Sequence, residues 1–456
     1  MIFLPHIILL LHWAGAVLSP LAKISVSLSL ILIYLLNLSL LHVMPYRDKA
    51  NRCQASPDIL VSNKAAARLK IMNGGRRIFR LCFWGVLIQF LFYIFKLYSY
   101  PLSDLSGNGI FYILSDGILT FLFFYGLILN GCIRILLTCR SLGVWKRILI
   151  LFFLWMPVVH LFCAKYLSKR AAIEYSAEVC RFENRIARDG SMLCATRYPI
   201  VMLHGIGFRD LCYFNYWGRI PKELVHNGAI VYYGHQQAWG TIEDNADIIC
   251  QNIRKILKEN HCEKVNIIAH SKGGLDARYL ISGLHMEDCV ASLTTISTPH
   301  RGSELLNILN KLPDGIYRLI ASGFDRTFKR LGDPCPDCYH ASKQLSSGFC
   351  QEFNEKYPDS PKVYYQSYAS YVKHTFGDNL LSIPNLLMFF TGAPKNDGLV
   401  TVDSAKWGHF KKTFASSGRR GISHGDMIDL KREDYKGFDV IEAYVQIVAE
   451  LKEMGF

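Results

Sequence analysis

Residues 265–278 read VNIIAHSKGGLDAR, a run that few backbones can accommodate. An apolar segment ends at Ala269, a His-Ser-Lys-Gly-Gly turn follows, and a helical pattern opens at Leu275. The period changes from strand to helix within a few residues, so the chain must turn sharply at Ser271. A serine in such a turn is strained, and the residues two positions either side, Ala269 and Gly273, have to be small. Its hydroxyl then projects from the end of a sheet, close to a helix N-terminus whose dipole favours negative charge. The pattern A-x-S-x-G is that of a nucleophile elbow with alanine in the first glycine position. An ordinary strand–turn–helix connection competes with this reading. The strand before, the helix after and the paired glycines argue for the nucleophile.

The surrounding sequence fits. Apolar runs at 198–203, 229–233 and 293–296 join 265–269 as expected buried strands. Helical patterns occupy 220–227, 242–260 and 275–283. Alternation of this kind predicts an α/β domain, a mainly parallel sheet flanked by helices.

A serine that attacks an acyl group needs donors for the developing oxyanion. One would be the backbone N–H of Lys272, next after the nucleophile. The other would come from the loop after an early strand, where Ile206 follows His204-Gly205. The acid and base must follow in the order Asp/Glu then His. Asp397, in a turn after the apolar run 386–390, and His424, in a loop before a helical stretch, satisfy that order. Asp403 is a rival acid, His409 a rival base, and His300 a supporting residue.

The stretches YPIVMLHGIG, YWGRIPKELVHNGAIVYYG, EKVNIIAHSKGGLDARYL, TTISTPHRGS, NDGLV and SHGD, spread over 198–426, closely resemble the bacterial triacylglycerol lipases of the α/β-hydrolase superfamily. The resemblance implies an α/β-hydrolase fold with Ser271 as nucleophile, His424 as general base and acid, and Asp397 as orienting carboxylate. It assigns the oxyanion N–H groups to Ile206 and Lys272. It implies no required cofactor, but a structural calcium near the catalytic histidine, with Asp426 at one ligand position and Asp378 as the loosely spaced second carboxylate. It also places a mobile lid at 304–347, covering an acyl cleft that would otherwise expose a large apolar patch; a rigid helical insertion is the alternative. Cys335 and Cys338, followed by His340, admit a zinc site, a local disulfide or plain thiols.

The resemblance does not reach residues 1–170. That segment holds 18 Lys/Arg against four Asp/Glu, and the remaining 286 residues hold 33 of each, so the whole net charge of +14 lies in the first part. The same part carries the apolar runs 1–22, 24–44, 81–98, 110–132 and 148–164. A crossing helix needs about 20 apolar residues, so the expectation is an all-α transmembrane region of about five helices. A cleaved signal peptide competes for 1–22, although the basic n-region is missing. Asp116 and Asn130 are expected to face other helices or an interface. The linkers 45–80 and 133–147 are basic and 99–109 is not, which puts the first two in the cytoplasm. Five crossings then leave the C-terminal part outside the cytoplasm, in a multi-pass protein of the plasma membrane.

The expected organisation is a transmembrane region at 1–170, a polar helical connector at 171–197 and the hydrolase domain at 198–456. The expected partners are a lipid or acyl-ester substrate and membrane lipids. Nucleic acid is disfavoured, because the basic residues share their segment with the apolar runs. Ester hydrolysis is the leading function. Acyl transfer to an alcohol by the same triad is a second reading, and a membrane receptor or transport protein with a non-catalytic, ligand-binding hydrolase domain is a third.

Overall fold

The structure, a computed structural model, describes residues 3–13, 19–40, 64–99, 107–188, 190–208, 216–375, 378, 381–390, 392 and 395–456. The chain divides into two compact units, Met1–Glu183 and Asn184–Phe456.

The described part of the first unit is helical: α1 (Leu4–Trp13), α2 (Pro20–Leu40), α3 (Lys64–Ser99), α4 (Gly107–Thr138), α5 (Val144–Phe153) and α6 (Pro157–Ala187), the last running past the boundary. Polar side chains close the helix ends. The buried Glu174 carboxylate accepts from Arg68, from Cys139 Sγ at 3.0 Å, and from the backbone N–H of Arg140 and Ser141 at 3.0 and 2.9 Å. Arg147 donates to the carbonyl of Leu136 in the last turn of α4 and to those of Cys139 and Leu142 in the segment that follows it. Asp116 is fully buried and faces other helices as expected: it pairs with His6 Nδ1 at 2.5 Å and accepts from Tyr93 Oη at 2.9 Å.

Two helical segments among the described residues, Ala67–Phe95 and Ile113–Thr138, are long and apolar enough to cross a membrane. They contain the expected runs 81–98 and 110–132 for most of their length. The expected run 24–44 is helical within α2 as far as Leu40, and its residues 41–44 lie outside the described residues. The run 148–164 is interrupted by a turn at 154–156, because Pro157 opens a new helix and disfavours helical backbone before it. Ten-residue α5 rises only about 15 Å, half the hydrocarbon thickness. The run 1–22 contains another ten-residue helix, α1. Part of the basic linker 45–80 is also helical, since α3 begins at Lys64, and the remainder of that linker lies outside the described residues. Of the five expected crossings, two therefore lie in helices long and apolar enough to cross a membrane among the described residues.

Among the described residues, the second unit is built on six parallel strands: β1 (Ile200–Leu203), β2 (Val231–Tyr233), β3 (Val265–His270), β4 (Val290–Ile296), β5 (Tyr364–Ser370) and β6 (His409–Phe414). Their order across the sheet is β2-β1-β3-β4-β5-β6. Side chains alternate between faces along each strand. Ile200, Met202, Ile268, Ile296 and Tyr368 face one layer with α7 (Ile220–His226) and the C-terminal helix Val440–Glu453. Val201, Leu203, Ile267 and Leu293 face the other, with α8 (Ile242–Glu259) and α9 (Gly273–Ser282). Both faces are covered, so β1, β3 and β4 are buried at every residue, and β1 reads as an unbroken apolar run. Helix α8 shows the local logic. Thr241 caps its N-terminus by accepting from the Asp244 N–H at 3.2 Å, and Ala246, Ile249, Ile253 and Ile256 recur at helical spacing along its buried face.

Candidate active site

Parallel strands gather their carboxyl ends along one edge of the sheet, and open sheets bind ligands there. Strand β3 ends at His270, and Ser271 follows with φ +55°, the left-handed conformation of an elbow. Its N–H donates to the Ile296 carbonyl at the end of β4, 3.0 Å away. Gly273 lies so close to β1 that an added Cβ would sit 2.5 Å from the His204 carbonyl oxygen, which explains the small residue two positions after the serine. Ala269 on the other side is fully buried.

The turn after β1 carries Ile206. It is anchored where the Gly207 N–H donates to the Ala238 carbonyl at 2.9 Å. Ile206 and Ser271 line the same apolar cavity of about 280 Å³. Most of its remaining wall comes from the predicted lid region, which folds as α10 (Glu304–Leu309), α11 (Asp314–Arg330) and α12 (Cys338–Lys343). Leu306 and Leu309 of α10, and Tyr317, Ala321 and Phe324 of α11, face the cavity beside Trp239. Lys272 turns its side chain away into the protein, where Nζ meets Asp276 at 2.6 Å with both groups buried. Burial raises the Asp276 carboxyl, with the Lys272 charge opposing.

His424 opens a short 3₁₀ turn, His424–Ile428, and its Nδ1 lies 2.9 Å from Asp397 Oδ2. The ring of His270 lies 4.4 Å from that of His424, so the elbow and the histidine loop meet. Burial, and then the neighbouring His424, push the His270 imidazole well below its ordinary value near 6.5. His270 Nδ1 is 2.6 Å from Tyr216 Oη, which also accepts from the Gly205 N–H at 3.0 Å. Sequence reasoning passed over Tyr216 and His270, although His270 stands inside the elbow motif.

The rivals stay apart from this group. Asp403 is exposed and pairs with Lys406 at 2.8 Å. His409 is exposed on β6, with its ring stacked on Tyr364. His300 is buried beside Trp407, with Nε2 3.1 Å from Thr295 Oγ1. Cys335 and Cys338 are both free thiols, one exposed and one buried. Neither the zinc site nor the local disulfide is formed there: no group of three or more His, Cys, Asp or Glu is arranged to hold a metal among the described residues.

Asp426 and Asp378 do come together, but around side-chain cations. Arg420 Nη2 donates to Asp426 Oδ1 at 3.0 Å and to Asp378 Oδ2 at 3.1 Å. Lys431 donates to Asp378 Oδ1, and the Ser423 hydroxyl to Oδ2 of the same carboxylate. Tyr435 donates to Asp426 Oδ1 at 2.6 Å, and the Ser423 N–H to Asp426 Oδ2 at 2.9 Å. All four carboxylate oxygens are engaged, and two positive charges already balance two negative ones. These residues do not fit a calcium ion, which takes six to eight oxygen ligands.

A parallel sheet flanked by helices, with a serine elbow at its carboxyl edge, defines the α/β-hydrolase class. The family description for palmitoyl protein thioesterase matches residues 199–416. Triacylglycerol lipase 2 of Saccharomyces cerevisiae is 32% identical over 270 residues, covering 55% of this chain and 77% of the yeast protein. A triacylglycerol lipase of Vibrio cholerae is 30% identical over 288 residues, covering 57% of this chain and 89% of the bacterial one. Among solved structures, the mature Bacillus licheniformis lipase BlEst2 aligns with a TM-score of 0.42 at 21% identity, over 56% of this chain and 92% of that one. The chain belongs to the triacylglycerol lipase family, and it is an ester-hydrolysing enzyme.

Proposed function

We propose that the chain is a membrane-anchored serine hydrolase of lipid acyl esters. In this reading Ser271 is the nucleophile, His424 the general base and acid, Asp397 the orienting carboxylate, and the N–H groups of Ile206 and Lys272 the oxyanion donors. The observation that carries it is the His424–Asp397 pair, 2.9 Å apart, in the loops beside an elbow serine that opens onto an apolar cavity.

The chemistry is double displacement. His424 Nε2 takes the Ser271 proton as Oγ attacks the ester carbonyl. Asp397 fixes the imidazole tautomer and stabilises its charged form. The tetrahedral oxyanion meets the two backbone N–H groups, and the loss of one such donor costs about 3–4 kcal/mol. The alcohol leaves with the proton from His424, and water then frees the acyl group by the same route. Neutral His270 beside His424 adds no positive charge to oppose the imidazolium. The acyl chain lies in the cavity under α10 and α11, which act as a mobile lid.

Anchoring is supported by the two long apolar helices, whose Phe83, Phe90, Phe95, Phe121 and Leu122 are exposed. Attachment to a bilayer raises the effective concentration of enzyme beside lipid. Retention of the chain in membranes washed with alkaline carbonate tests the anchor; release into the supernatant refutes it.

The palmitoyl protein thioesterase match favours one variation, a thioester in place of an oxyester. The purified chain is to be assayed on a graded series of acyl oxyesters and matching thioesters, with Ser271→Ala beside it. Full activity in Ser271→Ala, or no labelling of Ser271 by a fluorophosphonate, refutes the mechanism.

A further inference from the structure

The geometry around Asp426 points to Arg420 as a built-in replacement for a structural metal: we infer that its guanidinium, with Lys431, clamps the histidine loop and frees the enzyme from calcium. The inference rests on the proposed triad, because the loop matters through His424.

Asp378 and Asp426 are 48 residues apart and both are almost fully buried. Two buried carboxylates side by side repel one another unless a cation lies between them. Here one nitrogen, Arg420 Nη2, bonds to both, at 3.1 and 3.0 Å. Lys431 supplies the second positive charge on Asp378. Burial alone would raise the Asp378 carboxyl, but the bonds from Lys431 and Ser423 and the charges of Lys431 and Arg420 overcome that and hold it below its ordinary value. A divalent ion added here would have to displace two covalently tethered cations and leave them without partners.

The clamp reaches the site through backbone. Asp426 accepts from the Ser423 N–H, one residue before His424. The Lys373 N–H donates to the Arg420 carbonyl, and the Ile422 N–H to the Tyr371 carbonyl, so the segment before the histidine is stitched to the chain leaving β5. Arg420 is therefore a positioning residue for His424. A misplacement of a catalytic group by about 1 Å costs about 100-fold in rate.

The test uses the full-length chain in detergent. Wild type treated with a calcium chelator is expected to keep its kcat, its thermal midpoint and its fluorophosphonate labelling of Ser271. Arg420→Gln is expected to lose about 100-fold in kcat with little change in KM. Arg420→Lys, which restores an ammonium between the carboxylates, recovers most of that loss. In the double variant Arg420→Ala/Lys431→Ala, the bared carboxylates are expected to make the thermal midpoint rise with added calcium. A wild-type kcat or midpoint that falls on chelation and returns with calcium overturns the inference, whether or not the variants fold. An Arg420→Gln enzyme with wild-type kcat overturns it as well. Failure of the triad reading looks different: Ser271 then goes unlabelled with calcium and without it.

Discussion

Asp397 holds His424 twice. Its carboxylate Oδ2 lies 2.9 Å from His424 Nδ1, and its carbonyl accepts from the His424 backbone N–H, also at 2.9 Å. The other carboxylate oxygen, Oδ1, is fixed by the N–H groups of Leu399 and Val400 at 3.1 and 2.9 Å. Asparagine at 397 keeps the backbone bond but must aim its oxygen at those two N–H donors. Its NH₂ then faces Nδ1 and selects the wrong imidazole tautomer. Asp397→Asn is expected to lower kcat by about 10³–10⁴-fold with KM little changed and the fold intact. Steady-state kinetics with a melting curve check this.

The approach of the β1 turn to Ser271 is equally tight. A Cβ added at Gly205 would lie 2.8 Å from Ser271 Cβ and from Tyr216 Oη, and 3.3 Å from Ser271 Oγ. Gly205→Ala should therefore slow acylation severely, and overpacking should cost about 1–3 kcal/mol of stability. The rate of fluorophosphonate labelling and the thermal midpoint report the two effects separately.

On the proposed reading, the cavity sets the acyl length. Ala321 is a small, buried part of the α11 wall. Ala321→Phe fills that space, so long-chain esters should lose turnover while short-chain esters keep it. Each excluded methylene forgoes about 0.8 kcal/mol of burial. A ratio of long-chain to short-chain kcat/KM equal to that of wild type removes the cavity from the acyl path.

Two buried imidazoles make stability depend on pH. Burial, reinforced for His270 by His424 and for His300 by Arg278 and Arg301, holds both well below 6.5. In the unfolded chain they protonate near 6.5, while in the folded chain they stay neutral. As pH falls below 6.5 the unfolded state binds more protons, so stability declines, by as much as about 1.4 kcal/mol per pH unit for each group. The thermal midpoint of His270→Asn should therefore fall less steeply than that of wild type between pH 6.5 and about 5. Parallel curves would show that His270 takes up its proton equally in both states.

What the residues disclosed follows from burial. Strands β1, β3 and β4 lie in the middle of the sheet and are buried at every residue, so apolar side chains stand out at 200–203 and 267–269 despite the polar Asn266, Ser292, Thr294 and Thr295. Strand β6 escaped notice because it is an edge strand, mostly exposed and carrying Lys411 and Lys412. Asp397 and His424 could be placed by chain order, and a local turn chemistry surrounds each. Arg420 could not, since its meaning comes from Asp378, 42 residues earlier, brought near only by the fold. The turn before Pro157 was legible in principle, but hydropathy averaged over the run 148–164 conceals a single proline.

The Arg420 clamp bears on where this enzyme can work. A lipase whose histidine loop waits for an ion is active only in compartments that supply it, and falls silent in a cytosol kept poor in free calcium. A loop closed by the chain's own arginine and lysine has no such address written into it. On the inference drawn above, the enzyme comes off the ribosome with its clamp already inside it and needs no compartment that supplies an ion.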